Sequence, residues 1–221
     1  GSMADGALVK TIKNTKNLCP SCHAVLDAQV FERDGQVFIL KTCSTHGDFE
    51  DVYWSDAKQY HRMERFNEEG SGLENPRTET LKGCPLDCGI CPKHKSYSVL
   101  AIIDVTNRCN LRCPICFAHA GVSGYVYEPS KETIFKIIDN LRNNLPIPPV
   151  AVQFSGGEPT LRDDLPEFVE YALKAGFRHV EINSNGIRFA NDFDYVMRLK
   201  KAGLKTVYLQ FDGVTREPYI K

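Results

Sequence analysis

The chain has no excess of charge of either sign: 27 Lys and Arg stand against 28 Asp and Glu, a formal net charge of −1. Near-neutrality argues against a nucleic-acid module, whose affinity is built on many neutralised phosphates. Long hydrophobic runs are also missing. The longest, such as Val99-Leu100-Ala101-Ile102-Ile103, fall far short of the ~20 apolar residues that cross a bilayer. No stretch reads as a secretory signal, and the loop at 155–160 carries neither a Walker lysine nor a G-x-G-x-x-G pattern for phosphate. The expectation is a cytoplasmic protein with no nucleic-acid partner and no transmembrane segment, peripheral contact with a membrane being the alternative. What remains is 221 residues, enough for one or two domains with a sizeable core. Gly1-Ser2-Met3 reads as a cleavage scar of recombinant expression.

Cysteine, by contrast, is abundant. Nine cysteines fall into three groups of three: Cys19, Cys22, Cys43; Cys84, Cys88, Cys91; and Cys109, Cys113, Cys116. An odd count at tight spacings, with no export signal, argues against a disulfide framework and for thiolate–metal ligation in a reducing compartment.

The first group sits in a β-rich segment. Cys19-Pro20-Ser21-Cys22 is a metal knuckle, and Val30, Val37, Phe38, Ile39 and Leu40 flank an Asp34-Gly35 turn signal, a hairpin pattern. The second strand delivers Cys43-Ser44-Thr45-His46, so the site reads as Cys3His, as in zinc ribbons and close to rubredoxin iron sites, the alternative being a solvated His46 with a cysteine from elsewhere as fourth ligand. Spacing does not separate zinc from iron, because both suit tetrahedral, thiolate-rich sites. A polar helix is expected from Asp56 to Phe66, with Tyr60, Met63 and Phe66 on one face, and Gly70 to Thr80 reads as a linker. It leads to the second group, C-x3-C-x2-C, which supplies three thiolates to a second 4Fe–4S cluster. The fourth ligand is then His94, a residue beyond this chain or a substrate, with zinc as the alternative metal.

From Val99 the pattern alternates between strand and helix. Apolar strands are expected at 99–105, 150–154, 180–182 and 207–211. Three amphipathic helices lie between them: one carrying Ile134, Ile137, Ile138 and Leu141; one opening on Asp164 and Glu167 at capping-box spacing and stopping at Gly176; and one from Asp192 to Gly203. Such repetition implies a parallel sheet. Strand parity puts Asp104, Thr106, Gln153, Ser155, Glu181, Asn183, Asn185, Gln210 and Asp212 on one face. The opposite face carries Ile103, Val105, Val152, Phe154, Val180, Ile182, Leu209 and Phe211. A face so consistently polar is expected to line a cavity for a polar ligand, the alternative being buried polar residues that satisfy one another.

The third cysteine group follows the first of these strands, where α/β folds bind ligands. Its three thiolates, Cys109, Cys113 and Cys116, suit three irons of a 4Fe–4S cube, leaving the fourth iron open. After the second strand comes Ser155-Gly156-Gly157-Glu158-Pro159-Thr160, in which paired glycines let backbone approach a ligand and Glu158 offers an acceptor for an ammonium group.

The C-x3-C-x2-C loop, GGEP and Asn183-Ser184-Asn185-Gly186 together resemble a radical S-adenosylmethionine (SAM) enzyme over residues 98–221. The resemblance implies an α/β fold, a radical SAM partial (β/α) barrel of which about four strand–helix units are present. It implies that Cys109, Cys113 and Cys116 hold the catalytic cluster, whose open iron is chelated by SAM. Gly156, Gly157 and Glu158 would then meet the cofactor's amino group, and Ser184, Asn185, Gln210 and Asp212 its ribose and carboxylate. Ile115, at the position next to adenine, and Phe117 complete the implied cofactor-binding set. The chemistry implied is a 5′-deoxyadenosyl radical that removes hydrogen from unactivated carbon. An electron donor such as ferredoxin or flavodoxin follows from that chemistry.

Across its whole length the chain resembles archaeal tetraether lipid synthases and, equally, the related dihydropterin methylases. The first resemblance implies joining of lipid chains through a new C–C bond and is the favoured expectation; the second implies methylation of a 7,8-dihydropterin. A non-enzymatic iron–sulfur or zinc scaffold is the remaining alternative, and it leaves GGEP without a role. The expected organisation is the scar at 1–3 and a rubredoxin- or zinc-ribbon-like metal domain at 8–55. A helix, linker and auxiliary iron–sulfur motif follow at 56–97, and the N-terminal portion of the barrel at 98–221. With four units against the six of such a partial barrel, the natural protein is expected to continue past Lys221.

Overall fold

The computed structural model describes residues 9–83, 86–87, 90–114, 116–118, 123–211 and 213–217. They form two compact units, one ending at Glu68 and one beginning at Glu69.

In the first unit β1 (Lys10–Leu18), β2 (Val25–Arg33), β3 (Gln36–Cys43) and β4 (Gly47–Trp54) pair in chain order as an antiparallel meander. Alternation along β3 buries Val37, Ile39, Lys41 and Cys43 in turn, so the period that builds the core also carries a thiol inward. Asp34 and Gly35 both have positive φ, 53° and 73°, as a two-residue turn matched to strand twist requires. In a meander the first and third turns lie at one end. That brings the Cys19–Cys22 turn beside the Cys43–His46 turn.

Helix α1 (Ala57–Glu64) starts where Asp56 Oδ1 accepts from the Gln59 N–H at 2.9 Å. It buries Ala57 and Tyr60 in a small core with Ala28, Val30, Val37 and Ile39. The expected three-residue apolar face shrinks to Tyr60. Met63 is exposed within the helix, and Phe66 is exposed beyond its last turn, since the helix ends at Glu64.

The second unit holds four parallel strands, β5 (Leu100–Thr106), β6 (Ala151–Gly156), β7 (His179–Ser184) and β8 (Thr206–Leu209), adjacent in chain order. Helices α2 (Lys131–Arg142), α3 (Leu165–Ala175) and α5 (Phe193–Lys201) connect them, with a short α4 (Ile187–Asn191) before the last. Ile103, Val105, Val152, Phe154, Val180 and Ile182 pack under Ile134 and Ile138 of α2, Phe168 and Val169 of α3, and Tyr195 and Leu199 of α5. Parity thus holds where helices cover the sheet. It fails at the fourth strand, where Leu209 and Phe211 are exposed because no helix among the described residues follows β8 to cover them. Thr106 also departs from the polar face: the β5–β6 ladder slips between Asp104 and Thr106, and the slip turns Thr106 into the core.

Two further expectations change. Asp164 stands at the start of α3, yet its carboxylate does not cap the helix, because Arg162 binds both oxygens at 2.8 and 2.7 Å. The stretch expected as a linker is docked in part: Arg77 Nη2 donates to Asn140 O at 2.9 Å and Asn75 Nδ2 to Asn143 O at 2.5 Å. The end of α2 leaves carbonyls without helical partners, and these two side chains meet them.

Candidate metal and cofactor site

At the shared end of the meander the ligand atoms of Cys19, Cys22, Cys43 and His46 all lie within 4.8 Å of one another. Cys22 Sγ is 3.9 Å from Cys43 Sγ, and His46 Nδ1 is 3.7 Å from Cys19 Sγ and 3.5 Å from Cys43 Sγ. A tetrahedral ion with ordinary Zn–S and Zn–N bonds needs edges of about 3.8 Å between sulfurs and about 3.6 Å between sulfur and nitrogen. The four residues fit such an ion. The Thr45 backbone N–H beside Cys43, opposed by burial, holds that thiol below its ordinary value, toward the ligating thiolate. His46 faces the thiols.

Of the second group, Cys84 and Cys88 lie outside the described residues. Cys91 is buried, with its thiol drawn down first by the Thr80 hydroxyl and then by the Lys93 N–H. Asp87 Oδ2 gathers the backbone N–H groups of Leu81, Lys82 and Gly83 at 2.9, 2.7 and 2.5 Å, which pins the preceding turn. His94 is exposed, its N–H bonded to Cys91 O at 3.0 Å.

The third group leaves β5 at its carboxyl end. Cys109 and Cys116 are half-buried and Cys113 exposed. Burial above all, and the nearby Glu158, Cys113 and Cys116 charges, raise the Cys109 thiol, while the Leu111 N–H opposes the rise. The stems of this loop are clasped. Arg108 pairs with Glu128 at 2.7 Å, Thr106 Oγ1 donates to the same carboxylate, and Asn107 Oδ1 accepts from the Tyr127 N–H. An open depression of about 470 Å³ lies alongside, lined by Asn107, Cys109, Asn110 and Tyr125 among others.

Gly156 and Gly157 serve a purpose the sequence pattern did not reveal. A Cβ on Gly156 would collide with Thr106 O, and one on Gly157 with Arg108 O. The close approach is to the cysteine loop itself: Gly157 N donates to Thr106 O and Glu158 N to Arg108 O, both at 2.8 Å. Glu158, expected at a cofactor amino group, is buried and occupied. Its Oε1 accepts from Thr160 N and Oγ1 and from Ser184 Oγ, at 3.2, 2.6 and 2.8 Å; its Oε2 accepts from Asn185 N at 2.7 Å. Asn185 in turn donates from Nδ2 to Asn110 Oδ1 at 2.8 Å, inside the cysteine loop. Three loops from three strands are thereby joined. Gln210 N donates to Ser184 O at 2.8 Å, and Phe117 is exposed. Ile115 and Asp212 lie outside the described residues.

Sequence reading missed Arg108 with Glu128, Thr160 and Arg162. Arg162 is buried, donating from Nη1 to Val105 O and Pro129 O, and so ties both ends of the cysteine loop to α3. An arginine two residues before an aspartate is its only sequence trace. The polar sheet face, expected to line a cavity, is open over Ile102 and Asp104 among the described residues.

Residues 103–221 match the family model of the radical SAM superfamily, which is more than half of the chain. The chain belongs to the radical SAM superfamily. Its first unit matches the HMPTM N-terminal zinc ribbon domain over residues 11–55. Membership of this superfamily implies S-adenosylmethionine and a 4Fe–4S cluster. Three thiols on one clasped loop, with no cysteine following them in the sequence, fit a cube with one open iron. A relative from Methanocaldococcus jannaschii, 7,8-dihydro-6-hydroxymethylpterin dimethyltransferase, is 51% identical over 208 residues, 94% of this chain and 40% of that protein. An Fe-coproporphyrin III synthase from Methanosarcina barkeri is 37% identical over 121 residues, 54% of this chain and 29% of that protein. A probable GTP 3',8-cyclase from Methanothermobacter marburgensis is 35% identical over 126 residues, 57% of this chain and 39% of that protein. The chain thus spans 40% or less of the length of these relatives. The tetraether lipid reading finds no support among them. Among the described residues no helix is long and apolar enough to cross a membrane.

Proposed function

We propose that this chain is part of a radical SAM methyltransferase acting on a 7,8-dihydropterin, the 6-hydroxymethyl form or a close relative. One observation carries the reading: the dihydropterin-methylating relative is similar over 94% of the chain, ribbon and barrel together, whereas the other two are similar over little more than half. Cys109, Cys113 and Cys116 hold the catalytic cluster, and Cys19, Cys22, Cys43 and His46 hold zinc. Cys84, Cys88 and Cys91 hold a second 4Fe–4S cluster, a reading supported by the depressed Cys91 thiol and the pinned Asp87 turn before it.

Bound cluster and cofactor supply one-electron cleavage of the sulfonium and hydrogen abstraction from carbon. The chain's own part is placement. Gly156 and Gly157 bring the second loop against the first. Glu158 locks that pair to Ser184 and Asn185, so the edges that meet the cofactor's ribose and amino acid arrive preorganised. The clasp at Arg108 and Glu128 holds the loop stems before any iron binds. The substrate is a small molecule, and the electron donor is a reducing protein such as ferredoxin or flavodoxin.

The test is anaerobic reconstitution of the natural full-length protein with iron, sulfide, SAM and dithionite, followed by mass spectrometry of added 7,8-dihydro-6-hydroxymethylpterin. Mass gained in methyl increments is the expected result. Formation of 5′-deoxyadenosine with unmodified pterin would overturn the substrate.

A further inference from the structure

The face of the parallel sheet opposite the helices is organised in rungs that differ in one respect. The lower rung runs Ile102, Gln153, Glu181 and Thr206 across the four strands in register. It is closed. Gln153 Nε2 donates to Glu181 Oε1 at 2.5 Å, and His179 Nε2 bonds to Glu181 Oε2 at 2.8 Å, so that carboxylate already has its partners. The rung above pairs Asp104 with Ser155 and Asn183 with Tyr208. It is open. Asn183 Nδ2 reaches Ser155 Oγ at 3.5 Å, a long bond, and Tyr208 is 58% exposed. Asp104 is exposed and has no hydrogen bond or ion pair among the described residues.

A carboxylate in mid-strand is foreign to the packing of a parallel sheet, whose strands are covered on both faces and dominated by Val, Ile and Leu. This one sits just below the strand ends from which the cysteine, GGEP and NSNG loops leave. We propose that Asp104 is the residue that reads the aminopyrimidinone edge of the substrate, an inference that rests on the dihydropterin reading. That edge presents a ring N–H and an amino N–H side by side. Two parallel donors match the two oxygens of one carboxylate, the geometry in which guanidinium groups bind carboxylates. The neighbouring ring carbonyl needs a donor, and Asn183 has one on the same rung. Glu181 is a poorer candidate because its oxygens are taken.

The experiment is equilibrium binding of 7,8-dihydro-6-hydroxymethylpterin to the anaerobic, reconstituted full-length protein, read by pterin fluorescence. A second arm uses the analogue that carries a carbonyl in place of the amino group. Asp104→Asn exchanges an acceptor for a donor and is expected to weaken pterin binding about 10- to 100-fold, the worth of a charge-assisted hydrogen bond. Zinc and iron content per chain stay unchanged and serve as the folding control. The unsubstituted protein is expected to bind the carbonyl analogue at least about 10-fold more weakly than the pterin, and Asp104→Asn to narrow that gap. The analogue arm needs no substitution and decides the matter even where the variant loses metal. Equal binding of pterin and analogue, or a variant that keeps both Kd and discrimination, overturns the role of Asp104 alone. No pterin binding by the unsubstituted protein removes the functional reading itself, and this inference with it.

Discussion

Glu158 distinguishes a strut from a ligand contact, and Glu158→Gln separates the two. The carboxylate accepts four hydrogen bonds, three on Oε1 and one on Oε2 from the Asn185 N–H. A glutamine fits the space but must place an NH2 group on one side. The less costly side is Oε2, where the amide then confronts the Asn185 N–H, donor against donor. Thr160 and Ser184 keep an acceptor, although a neutral one. Loss of one charge-assisted bond at a buried site costs about 1.5–3 kcal/mol. If the loss is local, the Asn185 amide should exchange with solvent about 10- to 100-fold faster, while amides in the core of β6 and β7 change little. Amide hydrogen exchange read by mass spectrometry over peptides spanning 183–187 measures this without cofactor. Unaltered exchange there, together with lost affinity for SAM, would refute the strut and return Glu158 to the cofactor.

Four other outcomes are expected. Gly157→Ala drives a Cβ into Arg108 O and breaks the two bonds that join the GGEP and cysteine loops, so iron retained after reconstitution should fall at least about twofold, measured by iron and sulfide analysis. Cys43→Ser should remove the metal and expose the meander, whose core among the described residues, four residues on its strands and two on α1, is too small to hold it unaided; metal analysis and faster exchange of β2 and β3 amides read the loss, and unchanged exchange would contradict it. Ile138→Ala empties a fully buried site under the sheet and should cost about 2–5 kcal/mol, seen as a lowered unfolding midpoint of the second unit. Asp164 is held below the ordinary carboxylate range by its hydrogen bonds to Arg162, against burial. A depressed folded-state value stabilises above the unfolded value of about 3.9 and is lost as pH falls through the folded one. Acid unfolding from about pH 4 downward should therefore flatten in Asp164→Asn, and an unchanged acid limb would contradict the pairing.

Local chemistry was legible in the amino-acid order. Period-two and helical periodicities located all four parallel strands and α2, α3 and α5, because each depends on which neighbours along the chain are apolar. Asp34-Gly35 announced its turn through the positive φ values it tolerates. The Cys3His set was readable because its ligands lie in two short knuckles, and a meander must bring its first and third turns to one end. Three thiols at C-x3-C-x2-C spacing pointed to a cube, since thiols of one loop need no tertiary structure to be neighbours. Other roles depended on partners far along the chain. GGEP looked like a ligand cradle, yet its glycines are required by the carbonyls of Thr106 and Arg108, some fifty residues earlier. Glu158 looked like a free acceptor until Thr160, Ser184 and Asn185 filled it. Asp104 and Glu181 were indistinguishable as polar residues of one parity. Only the register across four strands gave one carboxylate its partners and left the other open, because hydrogen-bond saturation belongs to the assembled sheet and not to any single strand.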